Sequence, residues 1–352
     1  INNQNNMRNT FLLVTLALFI GTICSAKFPV VKSNNHSLWK PEEIHEFYQY
    51  LNDFDKKYDT AEELVYRMTI YQQNMKYITE HNLAGHSYQL GQTRFTDWTN
   101  EEYRQFVSKG LRPKKSLYNV CAPTSNHTQP YGNAIDWRQK GAVTGIKNQE
   151  NCGSCWSFST TGSLEGLVAI KTGVLTSLSE QQLVDCSVSY GNHGCEGGYM
   201  DDAFTYVIFN GGLCSEANYP YHASDGTCQS KNCTNVPGTN IQECWNVPSS
   251  NENALGFAAY HQPVSVAIEA DTASFQHYKS GVYDDPGCYV GFLDHGVLVV
   301  GFNDTAPTPY YIVKNSWGQK WGDEGYIYIA RDPTGTGPGI CGIALAPSYP
   351  GY

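Results

Sequence analysis

The spacing of apolar and polar residues changes character along the chain, and each change predicts a different kind of structure. Residues 27 to about 110 are rich in Tyr, Glu, Lys and other helix formers, hold no cysteine and show no strand pattern, so they read as helical. Within them Thr99 and Glu102 make a capping box that opens a short helix. Residues 111–133 are Pro, Ser, Asn and Thr with little periodicity, the composition of a linker and of a natural proteolysis site. Between 155 and 171, Trp156, Leu164, Leu167, Val168 and Ile170 fall mostly on one side of a helix, with Gly153 and Ser154 before it and Gly173 after. Helical patterning continues to roughly Tyr206 and includes a turn capped by Ser179. From about residue 236 strands are expected to prevail, at 263–268, 296–302, 310–314 and 325–329, each run bounded by Gly, Pro or Asp. The expectation is an α+β chain with a helical lobe against a β lobe and a ligand site in the cleft between them.

Composition narrows the class. The chain has 352 residues, 41% of them hydrophobic, enough for a sizeable core, and a formal net charge of −10. That balance, with no basic patch, argues against nucleic acid or an anionic membrane as partner. Met7-Arg8, the apolar run 11–20 and the small residues Cys24-Ser25-Ala26 read as a secretory signal over residues 1–26, with Ile1 to Asn6 a gene-model leader. The run is too short to span a membrane, and no later stretch qualifies. Twelve cysteines behind a signal imply disulfides whose pairing spacing alone does not fix. Sequons at Asn35, Asn126, Asn232 and Asn303 suit a glycoprotein on the secretory route.

Four residues supply candidate chemistry. Cys155 lies at the start of the expected helix in Cys152-Gly153-Ser154-Cys155-Trp156, with Gln149 six positions earlier. A thiolate, not a thiol, attacks a carbonyl, and a free cysteine with a pKa of about 8.5 stays mostly protonated at neutral or acid pH. A neighbouring imidazolium and a helix N-terminus both lower that value. His295 heads one apolar strand and Asn315 follows another, where its amide oxygen can orient the imidazole. A redox reading of Cys152-x-x-Cys155 needs a strand directly ahead of the helix, but residues 147–151 are polar and turn-like.

Taken together, C-G-S-C-W with a distant His and Asn resembles the papain and cathepsin family of cysteine proteases. A second resemblance lies upstream. Glu63, Arg67, Tyr71, Asn74, Ile78 and Asn82 share one helix face, with Glu63 and Arg67 spaced to pair, in the order seen in cathepsin L-like prosegments. Gly91-x-Thr93-x-Phe95-x-Asp97 follows, with Thr93 where the family usually has Asn.

The resemblance implies a papain-like two-lobe fold, with a helical lobe, a β-barrel-like lobe and the active-site cleft between, preceded by a helical prosegment. It implies a cathepsin L-like cysteine endopeptidase made as a zymogen, with a prosegment over 27–129 that runs backwards through the cleft and a mature domain over 130–352 starting near 125–132. Cys155 would be the nucleophile, His295 the acid–base partner, Asn315 the orienter, and Gln149 with the Cys155 N–H the oxyanion hole. Gly197 and Gly198 would bind peptide backbone. Tyr199, Met200, Ala267, Gly296 and Ala346 would line an apolar pocket for the residue before the scissile one, and Trp317 would shield the histidine. The implied disulfides are Cys152–Cys195, Cys186–Cys228 and Cys288–Cys341. Cys121, Cys214, Cys233 and Cys244 are left over, and a bond from Cys121 to the mature part would keep the prosegment's end attached after cleavage. No cofactor or metal is expected, and the implied partners are protein and peptide substrates and cystatin-like inhibitors of a monomer. The implied location is the lysosome or outside the cell.

Overall fold

The computed structural model describes residues 39–112, 120–124, 130–288 and 291–352. The signal segment, Asn35, Asn126 and most of the expected 125–132 junction lie outside the described residues. Two compact units, residues 1–69 and 70–352, divide the chain. Among the described residues the helices are α1 (Pro41–Asp53), α2 (Ala61–Leu83), α3 (Asn100–Val107), α4 (Cys155–Thr172), α5 (Glu180–Cys186), α6 (Met200–Asn210), α7 (Glu252–His261) and α8 (Ala273–Gln276). The strands are β1 (Tyr88–Leu90), β2 (Ala122–Pro123), β3 (Ala134–Asp136), β4 (Glu243–Asn246), β5 (Val264–Ile268), β6 (Tyr278–Tyr283), β7 (His295–Asn303), β8 (Tyr310–Lys314), β9 (Tyr326–Ala330) and β10 (Ser348–Gly351). No described helix is long and apolar enough to cross a membrane.

The first unit holds α1 and the opening turns of α2, where Arg67 Nε approaches the Glu63 carboxylate at 3.8 Å. In the second unit the rest of that helix face ties down the loop ahead of α3. Asn74 Nδ2 donates to the Thr96 and Trp98 carbonyls, and Asn82 both donates to and accepts from the Leu90 backbone. Thr93 is fully buried; its hydroxyl donates to the Gln276 carbonyl. The Thr99 hydroxyl accepts from Glu102 N while the Glu102 carboxylate accepts from Thr99 N, a complete capping box.

The sheet runs β1-β6-β9-β8-β7-β5-β10-β4-β2, with β3 paired to β7. Its centre is antiparallel, and β7 is hydrogen-bonded to both β5 and β8. Buried Val, Ile and aromatic side chains, including Trp317 and Trp321, fill the β lobe. A second core gathers around α4 and α6. Five disulfides brace the described chain: Cys121–Cys244, Cys152–Cys195, Cys186–Cys228, Cys214–Cys233 and Cys288–Cys341.

Two local expectations need correction and one needs extending. The N-terminal segment is not strand-free, because Tyr88–Leu90 adds to the edge of β6. The β-rich part contains α7 and α8, whose starts are capped by the Asn251 and Thr272 side chains. Finally, α4 is not one-sided: from Cys155 to Gly166 every residue is buried, while Ile170 is 41% exposed. The core around α4 and α6, together with Leu298 and Pro263 of the β lobe, crowds that helix, so small residues rather than a polar stripe complete its surface. Cβ atoms at Gly162 and Gly166 would meet Leu298 and Pro263 at 2.7 and 2.5 Å.

Candidate active site

The helix α4 begins at Cys155, placing the thiol in the first turn, where unpaired N–H groups concentrate positive potential. The adjacent Gly153 has no room for a side chain, since a Cβ would stand 2.5 Å from the Cys195 carbonyl and 2.7 Å from that of Lys109. The Cys152–Cys195 bond and the Gly153 N to Cys195 O contact of 2.9 Å hold this approach to the helix. Cys155 is the free cysteine among the described residues and is fully buried.

Across the cleft, β7 starts at His295, and pairing with Ile268 of β5 fixes its backbone. The next residue, Gly296, donates its N–H to Cys155 Sγ at 3.2 Å, so the two lobes touch at the sulfur. His295 Nε2 lies 2.8 Å from Asn315 Oδ1, and the imidazole stacks on the Trp317 indole at 4.5 Å between centroids. Asn315 Oδ1 also accepts from Ser316 N at 2.7 Å. Gln149 is held on both ends of its amide: Oε1 accepts from Ser316 Oγ and Trp317 Nε1, and Nε2 donates to the Cys152 carbonyl at 2.9 Å. That leaves one amide hydrogen on Nε2 beyond the Cys152 bond.

A buried charge cluster sits behind these residues. Lys147 Nζ contacts Glu165 at 2.9 Å and Glu180 at 2.6 Å, and Lys314 Nζ donates to Thr144, whose hydroxyl donates to Glu165. Lys147 precedes Gln149 by two residues and Lys314 directly precedes Asn315. The cluster therefore links the backbone segments that carry both amides to helices α4 and α5. Burial pushes Glu180 up to about 7 and pulls Lys314 down to about 8.

The segment after α3 closes the cleft. Leu111 pairs in parallel with Gly198; Gly198 N donates to Gly110 O and Arg112 N to Gly198 O, each at 3.3 Å. Gly110 lies directly on the sulfur: a Cβ there would come 2.6 Å from Cys155 Sγ and 2.7 Å from the Asp294 carbonyl. Leu111 joins the buried cluster containing Met200 and Ala267, against which Tyr199 and Ala346 pack. Phe95, Tyr103 and Phe106 surround Trp317, with centroids 5.2 to 6.1 Å away.

This closure sets the protonation state. Burial pushes the Cys155 thiol up to about 12 and pulls His295 down to about 4, so both are neutral near neutral pH. Burial likewise raises the Asp294 carboxyl to about 8, and Ala270 N donates to it. An uncharged pair is what a dry, plugged cleft favours, because separated charges lack solvation there.

The sequence reading missed Gly110 and Leu111 as cleft-filling residues. Nothing local marks them; only the three-dimensional path from α3 brings them to Cys155. It also missed the buried lysines and glutamates, although charged residues inside otherwise patterned segments were a legible signal.

A family model for papain family cysteine proteases matches residues 131–351, and one for the cathepsin propeptide inhibitor domain (I29) matches residues 47–103. The chain is 41% identical over 345 residues to cysteine protease XCP2 of Arabidopsis thaliana, covering 96% of this chain and 95% of that protein. It is 48% identical over 291 residues, 81% of its length, to an Arabidopsis thaliana protein described as "Probable cysteine protease RD21B", of which it spans 60%. Among solved structures, digestive procathepsin L 3 of Tenebrio molitor larval midgut matches with a TM-score of 0.80 at 38% identity, covering 89% of this chain and all of that one. The chain therefore belongs to the papain family of cysteine proteases and is a zymogen, with a cathepsin-type inhibitory propeptide ahead of its protease domain.

Proposed function

We propose that this zymogen is an endopeptidase acting through Cys155, His295, Asn315 and Gln149, with a preference for apolar or aromatic side chains at the residue before the scissile one. The observation that carries the reading is the free thiol in the first turn of α4, 3.2 Å from the N–H of the residue that follows His295. Once the cleft is open, water and the helix N-terminus favour transfer of the thiol proton to His295. The thiolate attacks the peptide carbonyl carbon, and the oxygen takes the negative charge opposite Gln149 Nε2 and the Cys155 N–H. His295 then gives its proton to the departing amine, leaving an acyl-enzyme. It next takes a proton from water, whose oxygen attacks the thioester and returns the sulfur as thiolate. Asn315 keeps the ring in the orientation that both transfers need, and Trp317 shields their contact.

Gln149→Ala removes one oxyanion donor, a loss of about 2.7–4 kcal/mol in the transition state. The expected result is a roughly 100- to 1,000-fold fall in kcat with KM little changed, read by steady-state kinetics on a peptide substrate. A few-fold fall would remove Gln149 from the mechanism.

Substrate choice follows from what surrounds Leu111. Met200, Ala267 and Gly296 are buried, Tyr199 and Ala346 border them, and none of these side chains bears a carboxylate. A basic side chain would lose its hydration there without gaining a partner. Peptides with Leu, Phe or Val at this position should exceed those with Lys or Arg by roughly tenfold or more in kcat/KM. A preference for Lys or Arg would contradict the pocket assignment.

The same reading divides the chain into a secretory signal over 1–26, a prosegment over 27–129 and a protease domain over 130–352, with a lysosomal or extracellular destination. Activation is then a cut in the linker that joins prosegment to protease domain.

A further inference from the structure

The disulfide Cys121–Cys244 lies between the residues that plug the cleft and the first residue of the protease-family match, Tyr131. Both sulfurs are inside, Cys121 being 6% and Cys244 1% exposed. The anchor is more than one bond. Strand β2 runs parallel to β4 with Ala122 opposite Trp245 and Pro123 opposite Asn246. Thr124 N donates to the Asn246 carbonyl at 3.0 Å, and Asn246 Nδ2 donates to the Cys121 carbonyl at 3.3 Å. Upstream, Gly110 to Arg112 occupy the cleft through their contacts with Gly198. The plug and the anchor thus belong to one stretch of chain, and both are fastened to the protease domain.

This arrangement makes the position of the activating cut decisive. Hydrolysis after Cys121, anywhere in 122–132, adds water across one peptide bond and leaves the disulfide intact. The inhibitory segment then stays bonded to the domain it blocks, at an effective concentration on the order of millimolar, and dilution does not remove it. Hydrolysis between Arg112 and Cys121 frees the plug and leaves the anchor behind.

The proposed substrate preference selects the second alternative. Leu117 and Tyr118 hold the position before the scissile residue for cuts upstream of Cys121, whereas for cuts after Cys121 and within 122–132 the position falls on residues 120–130, where Val120 is the one Leu, Phe or Val and would direct the cut to the buried, disulfide-bonded Cys121. With Leu117 as the residue before the scissile one, the cut falls between Tyr118 and Asn119.

We propose that the cleft of this protease opens only on cleavage between Arg112 and Cys121, and that the active enzyme keeps residues 121–123 as an edge strand held by Cys121–Cys244. The inference rests on the peptidase reading above and concerns where that peptidase must be cut. It moves the effective cut upstream of the 125–132 junction that family resemblance implies. A later nick at 125–132 leaves the Cys121 peptide attached as a second, disulfide-linked chain. Its release takes a dithiol reductant, which closes to its own disulfide as Cys121 and Cys244 become thiols.

The test begins with acid-activated full-length protein labelled by a thiol-directed peptide epoxide without reductant, followed by intact mass and N-terminal sequencing. The labelled species should begin within 113–121, with Asn119 favoured, and should retain Cys121 on Cys244. A labelled species beginning at 125–132 and lacking the Cys121 peptide would overturn the proposal. So would a labelled species still carrying residues 70–112 through the disulfide.

A second experiment inserts a sequence-specific protease site between Thr124 and Pro130, or between Arg112 and Cys121, and labels after cutting and high dilution. The upstream cut should release labelling. The downstream cut should leave it at least tenfold slower, unless Cys121→Ser and Cys244→Ser are both present. Equal labelling after the downstream cut with and without those substitutions would refute the tether. Absence of labelling in every form, including the upstream cut, would instead refute the peptidase reading beneath it.

Discussion

Cys155→Ala and His295→Ala should each lower kcat by on the order of 10⁶, and the double substitution should lower it no further. The reason is geometric. In the proposed mechanism the sulfur acts as a thiolate and His295 exchanges its proton, so removing either group ends the same proton transfer. Independent contributions would multiply, whereas a couple fails as a unit. Asn315→Ala should cost less, on the order of 10⁴, because it frees the ring without removing it. Trp317 stacking at 4.5 Å still restricts the imidazole in that variant. The check is steady-state kinetics on chains whose prosegment has been removed by an added protease, since these variants do not process themselves. Multiplicative losses in the double variant would show that Cys155 and His295 act separately.

Gly110→Ala should turn the sealed zymogen into a leaking one. Its added methyl would stand 2.6 Å from Cys155 Sγ and 2.7 Å from the Asp294 carbonyl, and neither neighbour is the loose end of a long side chain. Cys155 is anchored by α4 and Asp294 by its backbone N–H bond to the Ile268 carbonyl. The plug must therefore lift, weakening the Leu111 pairing with Gly198. Forcing a methyl into a packed site costs about 1–3 kcal/mol, which favours the open cleft by roughly 10- to 100-fold. Epoxide labelling of the uncut variant near neutral pH should accelerate by that factor over the parent. An unchanged rate would mean that Gly110 is not what closes the site. The aromatic contacts around Trp317 are untouched by the substitution, so the variant should retain its docked propeptide while losing the seal.

Much of this arrangement was legible in residue order. The start of α4 at Cys155 follows from Gly153 and Ser154, and its end from Gly173, which adopts a φ of +75° as the C-cap. His295 at the head of β7 and Asn315 just past β8 follow from runs of Val, Ile and Tyr. Other features were not legible because their causes are remote in sequence. Tyr88–Leu90 is a strand only because the edge of β6 lies nearly 200 residues away. Gly110 carries no pattern of its own; its role comes from the atoms around it. The bond from Cys121 to Cys244 spans 123 positions, and an even remainder of cysteines permits several pairings. Local chemistry selects caps, turns and periodicity, while the plug and the anchor are products of tertiary assembly.

The pH dependence of Cys155 alkylation by iodoacetamide, measured in the opened enzyme and in the intact zymogen, distinguishes an activated thiolate from an ordinary thiol. With the cleft open, the rate should stay high well below the ordinary thiol value of about 8.5, reporting a thiolate held by His295. With Gly110 in place, Cys155 should resist the reagent across the same range. A rate in the opened enzyme that followed a single ionisation near 8.5, or an adduct mapping to another residue, would contradict the account.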